Sequence, residues 1–144
     1  MRIEPQEIQD IKSNFEKVCE DLEALGTIWE TGEKGQNYRI AFLRALAELS
    51  RENSAARSIV EKLLDAVNIK HSEEAIAFRA YYLDGKKKPT ARQISRRLYI
   101  DVRTVYKYNR RILIAMLPVA FGVYGLFYPD ISKRYDDKPN GLSP

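Results

Sequence analysis

Ile8, Ile11, Phe15, Val18, Leu22 and Leu25 recur at alternating steps of three and four residues, the spacing that gathers side chains onto one stripe of an α-helix. The stripe predicts a helix over residues 5–25, ended by Gly26. No segment of the chain alternates convincingly with period two, so an all-α protein is expected, without internal repeats. Residues 38–49 are rich in alanine and leucine with apolar positions on most sides, as in a largely buried helix. Asn53 or Ser54 is placed to cap a helix whose apolar face is Ile59, Val60, Leu63, Leu64 and Val67. Ser72 is placed to cap another, carrying Ala75, Ile76, Phe78, Ala80, Tyr81, Tyr82 and Leu83 and stopping at Gly85. Residues 30–37 (ETGEKGQN) are polar with two glycines and read as a loop. With no strand before them and no Gly-Lys-Ser/Thr after, they do not form a phosphate cradle.

A chain of 144 residues suits one globular domain, or a small domain with a helical extension. Its 44% hydrophobic and 31% charged residues place it among folded chains rather than disordered ones. Cys19 is the only cysteine, which excludes an internal disulfide and a cysteine-based zinc cluster. His71 is the only histidine and has no HExxH context, so it reads as a surface residue; no metal and no cofactor are expected. The opening MRIEPQEIQDIK carries no secretory apolar stretch, and a reducing cytoplasm is the expected setting. The uncharged run at residues 112–129 is interrupted by Pro118, Gly122 and Gly125 and is too short and broken for a membrane span, so no membrane partner is expected.

Charge is distributed unevenly. Residues 1–85 hold 11 Lys/Arg against 16 Asp/Glu, whereas residues 86–111 hold 10 against 1. A short, strongly basic segment beside an acidic body points to a polyanionic partner and gives the molecule a preferred face for it.

The basic segment has internal order. Lys86, Lys87, Lys88 and Pro89 form a basic turn, followed by Thr90-Ala-Arg-Gln93, the pattern of a capping box. A short helix is expected from there, with Ile94 and Leu98 on its apolar side, before Asp101 offers a new N-cap for a helix over residues 102–117. Two helices joined by a tight turn, with Ile94, Leu98, Ile100, Val105 and Tyr108 where they cross and the small Ser95 at their close approach, make a helix-turn-helix. Tyr99 occupies the turn position that usually favours glycine for its positive φ. With Val105, Tyr108 and Ile112 inward, helical spacing turns Val102, Arg103, Tyr106, Lys107 and Arg110 outward. That face is expected to meet base edges, Arg103 or Lys107 at guanine and Val102 or Tyr106 at a thymine methyl. Lys86, Lys87, Lys88, Thr90, Arg92, Arg96, Arg97 and Arg111 suit the phosphate backbone of double-stranded DNA.

Residues 72–117 (SEEAIAFRAYYLDGKKKPTARQISRRLYIDVRTVYKYNRRILIAML) resemble region 4 of the sigma-70 factors: a helix ending in Tyr-Leu-Asp-Gly, a Thr-initiated helix, and a reader helix. The whole chain is similar to phage-encoded transcriptional regulators of the RinA/ArpU type, which join such a module to a helical N-terminal part. The resemblance implies backbone contacts at Thr90 and Arg97 and base-facing positions at Val102, Arg103, Tyr106 and Lys107. It implies a transcriptional regulator of phage or prophage genes in a bacterial cell or phage-infected host, with RNA polymerase as a second candidate partner. Val102 and Tyr106 stand where the sigma pattern often has arginine, which argues against an ordinary promoter −35 element as the target.

The expected organisation is a helical part over residues 1–70 that serves as core or oligomerisation element, the helix-turn-helix over 71–117, an apolar tail over 118–135 and a disordered end at 136–144. Past Pro118 the tail is expected to fold back, covered by its own chain or by a second copy in a homodimer. A small-terminase-like DNA-packaging protein and a protein-interaction module with a basic face are the competing readings. An enzyme is not expected, because no metal cluster, nucleophile–base set or phosphate loop is visible.

Overall fold

The computed structural model of the protein describes residues 32–122 together with Gln6. The expected helix over residues 5–25, the tail beyond residue 122 and the expected disordered end at 136–144 lie outside these described residues. Five helices follow one another: α1 (Gly32–Leu49), α2 (Ser54–Asn68), α3 (Ser72–Tyr82), α4 (Ala91–Leu98) and α5 (Val102–Phe121). No described residue lies in a strand, as the all-α expectation requires. None of the described helices is long and apolar enough to cross a membrane.

The loop expected over residues 30–37 is mostly helix, since α1 begins at Gly32. Glycine and asparagine are weak helix formers, but Gly35, Gln36, Tyr38 and Arg39 are all buried here. Tertiary packing outweighs local propensity. In α2 the capping residue is Asn53, whose Oδ1 accepts from the amide of Ala56 at 2.8 Å. Its expected apolar face of Ile59, Val60, Leu63, Leu64 and Val67 is buried throughout. The N-cap of α3 is His71 rather than Ser72, without a side-chain capping bond. The His71 ring lies 3.0 Å from Glu74 instead, and Glu73 and Glu74 place negative charge in the first turn, where the helix dipole favours it.

The remaining helices wrap around α5, which packs against every other described helix. At 20 residues it is about 30 Å long and changes character along its length. From Asn109 onward it carries Asn109, Arg110, Ile112, Leu113, Met116, Leu117, Ala120 and Phe121, all buried. The helix runs past its expected end at residue 117 and through Pro118 to Phe121, and the fold-back expected past Pro118 falls on residues outside the described ones. Pro118 is exposed and only one turn from the helix end, so its missing N–H removes a single bond, and the helix continues to Gly122. Burial of Ala120 and Phe121 holds that last turn in place. The Phe121 ring meets Phe42 edge-on at 6.4 Å, and Phe42 in turn stacks on Tyr38. A second aromatic group, Phe78, Tyr81 and Tyr82 on α3, has ring centroids 4.7–4.8 Å apart. The Phe42–Phe121 contact ties α1 to α5, and α3 packs along α5 as well.

Candidate nucleic-acid interface

α4 starts at the expected capping box. The Thr90 hydroxyl accepts from the Gln93 amide at 3.1 Å, and the Gln93 side chain accepts from the Thr90 amide at 2.9 Å. Two otherwise orphaned donors are satisfied reciprocally, so the helix begins abruptly after the basic turn. Its inward side is Ala91 and Ile94, buried, with Ser95 and Leu98 half-buried; Arg92, Gln93, Arg96 and Arg97 face solvent.

Residues 99–101 then join α4 to α5. The amides of Tyr99 and Ile100 both donate to the Ser95 carbonyl, and the Ser95 hydroxyl donates to the Ile100 carbonyl. Ser95 thus closes the turn as well as allowing close approach. Tyr99 adopts the left-handed conformation, with φ 57° and ψ 45°, the only positive φ among the described non-glycine residues. Its side chain is 94% exposed and therefore recovers no packing energy for this conformation. Because a Cβ makes the left-handed region costly, Tyr99→Gly should raise unfolding stability by about 1 kcal/mol, measured as a higher urea midpoint at unchanged slope. An equal or lower midpoint would show that the turn is not strained.

The outward face of α5 differs from the one helical spacing predicts. Arg103 and Lys107 are exposed as expected, but Val102 and Tyr106 are half-buried and packed against the core. Tyr106 lies close enough to Tyr81 to perturb it electrostatically. Arg110, expected to face outward, is 2% exposed. It belongs to the stretch of α5 that other helices cover on several sides, which a single amphipathic stripe does not anticipate. Tyr108, expected at the crossing, is half-buried and lines an open apolar groove with Ile76, Leu98, Ile100 and Glu73. The solvent-facing stripe is therefore Arg103, Lys107 and Arg111, spaced i, i+4, i+8. All three are cations. Of the positions assigned to the DNA backbone, Lys86, Lys87, Lys88, Thr90, Arg92, Arg96, Arg97 and Arg111 are all exposed.

Lys88 is nevertheless engaged. Its Nζ is 3.0 Å from the Glu48 carboxylate and lies over the Tyr81 and Tyr82 rings at 4.6 and 5.5 Å. It ties the basic turn to α1 and α3, while Lys86 and Lys87 project beyond it. Two arginines missed by the sequence reading hold the same turn from beneath. Arg51 donates to the carbonyls of Ala80, Tyr81 and Asp84 at 2.7–3.3 Å, and Arg57 donates to that of Leu83 at 2.9 Å. They satisfy the carbonyls left open at the C-terminus of α3, where cations are also favoured by the dipole. Gly85, with φ +75°, then reverses the chain into the three lysines. Nothing local marks Arg51 or Arg57 for this role, because their partners lie 26–33 residues away.

The result is one surface built from three pieces: a pinned basic turn, the exposed side of a capped helix, and a cationic stripe on the next helix. Arg92, Arg96, Arg97, Arg103, Lys107 and Arg111 are solvent-facing, and none of them takes part in an ion pair among the described residues. Such a surface can attract a polyanion and offer it many donors at fixed spacing. No family model, no curated protein and no solved structure matches the chain.

Proposed function

We propose that the protein is a sequence-specific, double-stranded DNA-binding regulator of transcription, in which α4 and α5 act as a helix-turn-helix and α5 enters the major groove. The observation that carries this reading is the exposed Arg103–Lys107–Arg111 stripe on a helix whose opposite side, through Val105, is anchored in the core. Major-groove readers use their N-terminal turns to reach base edges while the preceding helix crosses the backbone. Arg92, Arg96, Arg97, Lys86 and Lys87 suit that second task, since phosphate contacts fix register without reading sequence. The likeness of residues 72–117 to sigma region 4, and of the chain to RinA/ArpU-type regulators, points in the same direction. On that likeness the targets are phage or prophage genes in a bacterial cytoplasm, and RNA polymerase is a second partner. A homodimer on paired half-sites fits the same scheme. The reading is non-enzymatic and needs no cofactor.

Anisotropy titrations of the full chain against labelled duplex DNA, from 50 to 200 mM salt, test it. The wild-type chain should bind with an affinity that falls steeply as salt rises. Arg103→Ala combined with Lys107→Ala should weaken binding to the selected site by about tenfold or more, with unchanged helical content by circular dichroism. Absence of salt-sensitive duplex binding, or equal affinity of the double variant, would overturn the reading.

A further inference from the structure

The direction in which α5 faces solvent also limits which bases it can read. We propose that the reader selects G·C pairs, with Arg103 and Lys107 each donating to a guanine and Asp101 accepting from a cytosine; this rests on the DNA-binding reading above. The two candidates for contact with a thymine methyl, Val102 and Tyr106, are set against the core, and Arg110 is buried. What remains on the exposed side of the first two turns is Arg103 and Lys107, with Asp101 at the N-cap.

Arginine and lysine carry donors and no acceptor. In the major groove only guanine presents two adjacent acceptors, N7 and O6. Adenine places its N6 amino donor between its own N7 and the O4 of thymine, so a donor-only side chain meets a repulsive group there. Cytosine presents only its N4 amino group and suits a carboxylate. Asp101 supplies one. It is exposed, occupies the N-cap with φ −67° and ψ 151°, and its side chain makes no capping hydrogen bond. An N-cap aspartate ordinarily spends its carboxylate on the first-turn amides. Facing phosphate it would be repelled, so the place where its charge is useful is a base edge.

Spacing sharpens the expectation. Arg103 and Lys107 are four residues apart, about one turn of the helix, and reader positions three to four residues apart meet successive bases in the major groove. The two guanines should therefore lie at successive base-pair positions.

Selection of bound duplexes from a random pool by the full chain tests this directly. The expected result is enrichment of guanine at two successive positions. Replacing those guanines by 7-deazaguanine, which keeps pairing and O6 but removes N7, should weaken binding about tenfold or more. Arg103→Gln should exchange guanine for adenine at one of the two positions and leave the other unchanged, because glutamine pairs bidentately with adenine. Asp101→Ala should relax a cytosine preference next to the Arg103 guanine. Duplex binding with no guanine enrichment, or with full tolerance of 7-deazaguanine, overturns the proposal while leaving DNA binding standing. Failure to bind any duplex instead removes the reading on which it rests.

Discussion

Replacing Arg51 by alanine should lower the unfolding free energy by about 2–3 kcal/mol, more than any exposed substitution on the basic surface. Its guanidinium donates four bonds to three carbonyls, with donor–acceptor distances from 2.7 Å to Asp84 to 3.3 Å to Ala80. Truncation leaves those carbonyls at the end of α3 open, and charged hydrogen bonds lost in this way each cost more than neutral ones. Burial lowers the pKa of Arg51, opposed by Asp84, but a guanidinium starts so high that it stays charged at neutral pH. Arg51→Lys should recover only part of the loss, because an ammonium cannot reproduce the planar fork that spans several carbonyls. Urea denaturation of the three proteins measures the order, wild type above lysine above alanine. Hydrogen exchange at residues 83–88 should accelerate in the alanine variant, since Gly85 and the lysine turn depend on this anchor. A midpoint within about 0.5 kcal/mol of wild type would show that the α3 terminus is held by Arg57 and Lys88 alone.

The contrast between Arg51 and the capping box shows what kind of information the sequence holds. Thr90 and Gln93 are three residues apart, and their reciprocal bonds follow from local geometry alone, so the start of α4 is legible without a structure. The same holds for Asn53 and for the apolar face of α2. Arg51 reaches a helix end about thirty residues away, and no pattern in the intervening chain announces it. The missed first turns of α1 have a related cause. Glycines suggest a loop on propensity, while burial of Gln36 and Arg39 against other helices decides for helix.

The helix α5 is legible in its position and miscounted in its facing. Periodicity identifies Val105 and Ile112 as inward, and both are fully buried. It then assigns one outward sector to the whole helix, as though every turn met the same surroundings. In the folded chain α5 packs against all four other described helices, and burial is denser from Asn109 onward than in its first two turns. Arg110 falls where this denser burial begins, and Tyr106 is drawn toward Tyr81. The exposed stripe consequently moves to Arg103, Lys107 and Arg111, which exchanges an apolar-and-basic surface for a wholly cationic one.

The same packing predicts a steep alkaline transition. Tyr81 and Tyr82 are 4% and 1% exposed, and burial is the largest influence on each, holding their phenols protonated beyond the ordinary range. Tyr81 is pushed up to about 12, with Tyr106 and Glu48 adding in the same direction and Arg44 opposing. Below pH 10 the phenol is protonated in both folded and unfolded chains, and no stability is lost. Between the unfolded value of 10 and the folded value of about 12, the unfolded chain releases a proton that the folded chain keeps. Stability therefore falls as pH rises through this window, by about 3 kcal/mol from Tyr81 alone, and Tyr82 acts with the same sign. Helical signal and phenolate absorbance near 295 nm, followed together from pH 9 to 12.5, should show a late phenolate step that coincides with loss of helix. Tyr81→Phe keeps the ring and removes the ionisable group, so its unfolding should move to higher pH. If Tyr81 ionises near pH 10 while the helices persist, its ring is not enclosed by α1, α3 and α5 in solution.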